Sequence, residues 1–500
     1  MSKKIYFVCA PIFMYWPVAI SKKLKELNGD IITGGFIGGP KKYHEILVNE
    51  WGILADEVVY THDLEEQWLN TPYTEEKLHY YIQLFGHNSL NELVISDRQV
   101  GYGYLAGGSI ARAKILKKIE SDKNSHLNYI VGMLDYLETF LIKNKPDVIY
   151  SYAVAGAFTM AIALFSEKLK IKFAKLTHSR ISDRVVIDIS YKDDMTIVKS
   201  RFLNQDICFS AKAEIFAKEY LMNFRQKQTQ PEYQLAQNNI YKSKTEFKNT
   251  FKLYLKSIKG KLSSKNDFFQ GSYSGNVSFE QKTVKGIKEY WKKRPFYPKD
   301  NLMEKPYFFY TLHVDPEAST MVLSPYQTNQ YAVIEAIAKA KPFDSILIVK
   351  EHLTMIGRRP KGFYENINAL PGVYMVDPLE SSFQFIKGAK AVITITGASG
   401  LEAIMLNKPA VFLGKFIYEW IEKGFVCTND LSTLKDVLTN VDTIKPADDE
   451  LLKRLLMSIY DSSFPFNSGL VYSGVSKSKV EDNPNLVASF ANALHNFLKK

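Results

Sequence analysis

Cysteine is scarce. The 500 residues hold three, Cys9, Cys208 and Cys427, far apart and without a CxxC pair. This disfavours a disulfide framework or a thiolate zinc site and makes a reducing cytoplasm the expected setting. Long apolar runs are missing too. The longest, Ala153 to Phe165, falls short of the ~20 residues that a membrane-spanning helix needs. The opening MSKKIYFVCAPIF reads as an immediate first strand, without the apolar core and cleavage site of a signal peptide. Acidic residues number 53 against 64 basic ones, giving a net charge of +11 and a pI near 9.0. That balance admits nucleic acid, anionic lipid or phosphorylated substrates and chooses none of them. A dinucleotide fingerprint is also absent. Gly34-Gly35-Phe36-Ile37-Gly38-Gly39-Pro40 has the wrong glycine spacing, and Pro40 stands where a helix should already run. The segment reads as a mobile loop over a cleft or as a plain connection.

What is present describes a soluble globular chain. Hydrophobic residues make up 46% and charged ones 23%, which is incompatible with a disordered polymer. The length argues for two or three domains. Short β-branched runs alternate with helical patterns in two stretches. The first contains Lys4–Ala10, Asp30–Thr33, Pro146–Tyr150 and Ile171–Leu176; the second contains Tyr307–Leu312, Ser345–Val349, Gly372–Val376 and Ala391–Ile395. Such alternation predicts parallel sheets with right-handed crossovers. Two facing Rossmann-like domains follow, over 1–209 and 306–430. A basic helical insertion lies between them over 210–305, and C-terminal helices cover 431–500. Within the insertion, Phe247, Phe251, Tyr254, Leu255, Ile258 and Leu262 share one helical face beside Lys244, Lys248, Lys252 and Lys256. This stripe fits a surface helix packed on the protein, or an amphipathic helix on an anionic membrane. Nucleic-acid binding is not expected, because no recognised module accompanies the charge.

Several polar groups gather where such sheets bind ligands, past the C-terminal ends of their strands. Ala391–Ile395 runs through Thr396-Gly397-Ala398-Ser399-Gly400 into a helix carrying Glu402. Free N–H groups and a helix dipole then face one point, which suits a phosphate; a plain β-α turn would look the same. Asp97-Arg98 precedes a loop rich in glycine and tyrosine. It fits a general base with a fixing arginine, or a structural ion pair. His178, Arg180 and Arg184 follow Ile171–Leu176 as site candidates, although surface pairing would also explain the arginines. Asp193-Asp194 reads as a solvated turn, and no metal-ligand spacing stands out.

The order HVDPEAST (313–320), Gln327 and Gln330 in a helix, VKEH (349–352), then ITITGASGLEA (393–403) with KPAVFLG (408–414), resembles the capsule polysaccharide biosynthesis family. The resemblance is strongest over 305–420 and softer over 90–190, at SDRQVGYGY and THSRISDR. Leu353 stands where the family usually has proline, and Asp315 replaces the glutamine of its Gln-Pro-Glu.

That family implies a GT-B-like fold and transfer of a sugar from a nucleotide-activated donor to a glycan or lipid-linked acceptor, without metal or cofactor. The resemblance implies donor contacts from Lys350, His352, Thr396, Gly397, Ser399, Gly400, Glu402, Glu317 and Ser319. Arg98, His178, Arg180, Arg184 and His313 are expected as acceptor-binding or other substrate-binding residues. Asp97, with Asp183 second, is expected as the base, while Lys350, His352 and the helix start stabilise the departing nucleotide. The site of action would be the cytoplasm, with the inner face of the membrane as an alternative. A non-hydrolysing nucleotide-sugar 2-epimerase and a non-catalytic carbohydrate or lipid-carrier binding module share the architecture and remain competing readings.

Overall fold

The computed structural model describes residues 3–9, 15–38, 57–97, 101, 122–228, 277–466 and 477–499. Arg98, Gly39-Pro40 and the lysine-rich stripe of residues 244–256 lie outside the described residues.

Strands β1 (Lys3–Cys9), β2 (Ile31–Ile37), β3 (Glu57–Tyr60), β4 (Val148–Ser151), β5 (Lys172–His178) and β6 (Arg184–Asp188) build the first sheet. Its order is β13-β6-β5-β4-β1-β2-β3, where β13 is Phe464–Pro465. β1 to β5 run parallel, whereas β6 returns antiparallel from β5 as a hairpin and β13 pairs antiparallel with β6. The second sheet comprises β7 (Tyr307–Thr311), β8 (Ile346–Lys350), β9 (Val373–Val376), β10 (Ala391–Thr394), β11 (Ala410–Phe412) and β12 (Phe425–Cys427). Its order is β12-β11-β10-β7-β8-β9, parallel throughout. Both sheets thus reverse direction between their first and fourth strands. This is the doubly wound pattern whose ligand crevice lies at the reversal.

The glycine segment expected as a loop is partly strand. Gly34 and Gly35 lie inside β2, between β1 and β3. A Cβ on Gly34 would sit 2.3 Å from the Tyr6 ring, and one on Gly35 would sit 2.3 Å from Phe7 O. Glycine is required there for close strand packing, not for flexibility.

Helices cover both faces. The ones used below are α1 (Tyr15–Leu27), α2 (Glu75–Ser96), α3 (Ser125–Asn144), α4 (Ala157–Lys168), α5 (Thr196–Leu203), α6 (Ala211–Lys227), α7 (Val277–Lys293), α8 (Gln330–Ala340), α9 (Ala398–Met405), α10 (Asp449–Ser462) and α11 (Pro484–Lys499). Apolar residues of α3 and α4 pack on one face of the first sheet, and α1 with α11 on the other. Phe490 of α11 reaches Tyr150 of β4 at 5.3 Å and Phe464 of β13 at 5.6 Å. The C-terminal helices are therefore divided by their contacts. α10 leaves the second domain and packs on α5 and α6, while α11 completes the first domain.

One continuous apolar cluster joins the domains. It includes Ile181, Val198, Phe202, Leu221 and Phe224 from the N-terminal side, Phe309, Phe383 and Trp420 from the second sheet's layer, and Leu455 and Ile459 of α10. The insertion is thus partly structural. α6 is part of this shared core, and α7 covers the second domain through Tyr290, which lies 4.8 Å from Tyr364.

Candidate functional site

β7 and β10 are the neighbours at which the second sheet reverses, so the loops after Thr311 and Thr394 open side by side. His313 ties them together. Its Nε2 accepts the Ile395 N–H at 3.2 Å and lies 3.0 Å from Thr394 Oγ1, which assigns the ring proton to Nδ1. Burial, then His352, Arg180 and Arg359, push its pKa down to about 3, so the ring is neutral. His313 was expected to meet the acceptor or another substrate group. It is buried in the second domain under the turn it organises, where a neutral ring can accept a backbone N–H.

The Thr396–Ser399 turn is held by its own side chains. Thr394 Oγ1 accepts the Gly397 N–H at 3.0 Å, Thr396 Oγ1 donates to Ser319 O at 3.1 Å, and Ser399 Oγ bonds Thr311 Oγ1 at 2.8 Å. A Cβ on Gly397 would stand 2.6 Å from Thr394 Oγ1, so the turn closes only around glycine. Gly400 has a different reason: a Cβ there would sit 2.3 Å from the Phe412 ring. Its role is close packing of α9 on β11, not backbone approach to a ligand. With these hydroxyls committed, the polar groups left at the turn are the first N–H groups of α9, which have no intrahelical acceptor. Ser319 Oγ donates to the Glu317 carboxylate at 2.9 Å, so these two expected contacts support one another at the rim.

The side chains of Lys350 and Glu402 make no hydrogen bond or ion pair to another described residue, while the backbone carbonyls of both are bonded within the sheet and helix. Burial raises the Glu402 carboxyl to about 7, against the pull of Lys350. Burial lowers the Lys350 ammonium to about 8, opposed first by Glu402 and then by Asp377, Glu380 and Glu351. Both side chains retain a partly open face. An acid and a base brought near neutrality by burial, with side chains that no described residue hydrogen-bonds, make this pair a candidate ligand site. His352 follows Lys350. Its Nδ1 accepts from Thr354 Oγ1 at 2.9 Å, and burial, opposed by Glu351, lowers its pKa to about 4. The ring is neutral and can offer only its Nε2 proton. As a neutral ring it is a hydrogen-bond donor rather than a cation.

Beneath the site lies a charge network that was not singled out from sequence. Arg359, 2% exposed, donates to both oxygens of Glu351 at 2.9 Å, to Asp315 at 2.7 Å and to His313 O at 2.6 Å. Glu351 also accepts from His352 N at 2.7 Å and Tyr364 OH at 3.0 Å. Gln330 braces His313 through both backbone groups, at 2.7 and 3.1 Å, and donates to Asp315. Burial raises the Asp315 carboxyl to about 6, against the effect of Arg359. The substituted Asp315 is therefore consumed by Arg359 rather than presented to a donor. Glu351 was visible in VKEH, but its partner lies 8 residues on in an unremarkable Arg358-Arg359-Pro360.

The N-terminal candidates separate. Arg184 is not a substrate group: it donates to Tyr460 O at 2.9 Å and to Ser463 O at 2.8 Å, and stacks 4.1 Å over the Tyr460 ring. It clasps the end of α10 to the first sheet. Arg180, at the tip of the β5–β6 hairpin, crosses to the second domain and donates to Thr396 O. His178 is lowered by burial, and its Nε2 is buried without a hydrogen-bond partner among the described residues. Asp97 follows α2 and is 4% exposed, and its N–H bonds Leu93 O at 3.0 Å. Asp183 lies at the hairpin's end, where its carbonyl accepts from Phe466 N at 2.8 Å. The Asp193-Asp194 pair is not a solvated turn. Asp193 pairs with the buried Lys175 and accepts from Thr177 Oγ1 at 3.1 Å, whereas Asp194 pairs with Lys415 across the domains.

Two Rossmann-type sheets joined through a shared apolar core, with the polar site on the second, define the GT-B-like class of α/β protein expected from the motifs. Residues 270–431 match the family model described as capsule polysaccharide biosynthesis protein, which spans the α7 cover, the Arg359 network and the Lys350–Glu402 site. No functionally curated protein matches the chain. Among solved structures, the Thermosulfurimonas dismutans KpsC β-Kdo 2,7 transferase is 13% identical, covering 64% of this chain and 78% of its own, with a TM-score of 0.34. UDP-GlcNAc 2-epimerases align over more of the chain. That of Methanocaldococcus jannaschii is 14% identical, covering 91% of this chain and 98% of its own (TM-score 0.26). The Neisseria meningitidis enzyme, bound to UDP-GlcNAc, is 11% identical with coverages of 97% and 99% (TM-score 0.23). Superpositions this weak do not bear on activity. Among the described residues, no helix is long and apolar enough to cross a membrane.

Proposed function

We propose that the chain is a glycosyltransferase of capsule or surface polysaccharide assembly that takes a sugar from a nucleotide-activated donor. The observation that carries this reading is the Lys350–Glu402 pair, largely buried and unsatisfied by protein, beside the start of α9 at the strand reversal. The helix start and Lys350 offer positive potential to a phosphate. The Nε2 proton of His352 adds a neutral donor, and Glu402 suits a sugar hydroxyl next to that phosphate. The family match over 270–431 supports the same assignment.

The chemistry is a displacement at the anomeric carbon. The acceptor hydroxyl oxygen forms the new C–O bond as the bond to the nucleotide phosphate breaks, and the phosphate oxygen keeps the electron pair. A base takes the hydroxyl proton; Asp97 is the first candidate and Asp183 the second, since the acceptor enters from the N-terminal domain. The acceptor is a glycan or lipid-linked glycan at the cytoplasmic side.

A panel of nucleotide sugars, incubated with and without acceptor glycans, tests the proposal. Nucleotide released only with acceptor supports transfer. Isomerised sugar without release establishes the 2-epimerase instead, and binding without turnover establishes a binding module.

A further inference from the structure

We infer that Arg180, a residue of the N-terminal domain, completes the donor site and stabilises the leaving phosphate. The inference rests on the transferase reading above and assigns Arg180, expected only as an acceptor or substrate contact, to the donor. Three observations converge on it. Arg180 sits at the hairpin tip with left-handed backbone, φ 60°, and Ser182 follows with φ 53°, so the tip turns sharply outward from β5. The tip is fixed to the opposite domain: the Tyr418 hydroxyl donates to Ser179 O at 2.5 Å, while Ser179 Oγ closes the hairpin on Arg184 O at 2.8 Å. From there the Arg180 guanidinium reaches Thr396 O, one residue ahead of the Gly397 that caps α9.

Its charge is felt within the donor site: Arg180 disfavours protonation of His313, and it pulls the Tyr418 hydroxyl down against the larger upward effect of burial. With His313 and His352 neutral, Lys350 supplies one cation to a nucleotide leaving group, and its own charge is held only loosely by burial. A nucleoside phosphate that accepts the bonding pair gains a further negative charge. A guanidinium prefers a phosphate oxygen to a backbone carbonyl, by virtue of charge and fork geometry. Donor binding would therefore draw the fork from Thr396 O onto the departing phosphate. Because Arg180 and the donor belong to different domains, this contact exists only when the hairpin tip is seated on the turn.

The test compares wild type with Arg180→Gln and Arg180→Lys, reading kcat, KM for each substrate, and affinity for the released nucleotide by calorimetry. The expected result for Arg180→Gln is a loss in kcat of about 100-fold, on the scale of deleting one preorganised donor. Product-nucleotide affinity should fall as well, and acceptor KM should stay near wild type. Arg180→Lys should recover part of kcat, as should millimolar guanidinium added to Arg180→Ala. A change confined to acceptor KM would overturn the donor assignment, as would wild-type kcat in Arg180→Gln. If the wild type binds no nucleotide, the transferase reading itself falls and takes this inference with it. The two failures are therefore distinguishable.

Discussion

Arg359 holds both oxygens of Glu351 at 2.9 Å, in a setting where their side chains are 2% and 0% exposed. The same guanidinium bonds Asp315 and His313 O, so one buried cation fixes the loops after β7 and β8. Removing one partner of such a network leaves buried charge uncompensated. Arg359→Met should cost about 3–5 kcal/mol in chemical denaturation, and Arg359→Lys less. The double variant Arg359→Met/Glu351→Gln should be less damaging than the sum of the singles. Additive losses would show that the two side chains do not act as a unit.

The Lys350–Glu402 pair predicts a pH dependence of defined sign. Glu402 titrates near 7 in the folded protein, above its usual carboxyl range, so the folded state binds the extra proton. Its contribution to stability is full at acid pH and is lost as pH rises from about 4.5 to about 7. Lys350 has the opposite linkage: its lowered value near 8 makes stability recover as pH rises from about 8 towards 10.5. Glu402→Gln should flatten the acid-to-neutral loss when unfolding is followed at several pH values. An unchanged slope would mean that the carboxyl is not titrating in that window.

Gly400 should respond as a packing residue. Gly400→Ala pushes a Cβ into the Phe412 ring, itself stacked on Phe416 at 4.2 Å, and should cost about 1–3 kcal/mol. Phe412→Leu should restore part of the loss in the double variant. Failure of Phe412→Leu to help would return Gly400 to the ligand.

The last helix belongs to the first domain's core, so its anchor should matter as much as any core residue. Phe490 is 1% exposed and packs on Tyr150, Phe464 and Phe466. Phe490→Ala should lower stability by about 3–5 kcal/mol. A loss below about 1 kcal/mol would mean that α11 docks only loosely.

The sequence made the layer plan legible because buried parallel strands are short β-branched runs, and runs such as Ala391–Ile395 keep that signature. It also brought the Lys350, Thr396 and Glu402 segments to one edge, since strand ends in a doubly wound sheet share their open side. It misjudged Gly34-Gly35, where the need for glycine comes from Tyr6 and Phe7 on a neighbouring strand. Arg184 looked like a site residue because its clasp on Tyr460 and Ser463 spans 276 and 279 residues. The same distance problem hid Arg359, whose bond to Asp315 spans 44 residues. Local pattern exposes strands and turns; it does not show which distant carbonyl or carboxylate satisfies an arginine.

In the proposed function, Lys350 beside the first turn of α9 holds the nucleotide of an activated sugar. Calorimetric titration of nucleotides into wild type and Lys350→Met tests it most directly. Wild type should bind nucleotide with an affinity that weakens as pH rises through about 8, the range in which Lys350 loses its proton. Lys350→Met should bind at least about 10-fold more weakly and without that pH dependence, the scale of one charge-assisted contact. Equal affinity in both proteins across that range would contradict it.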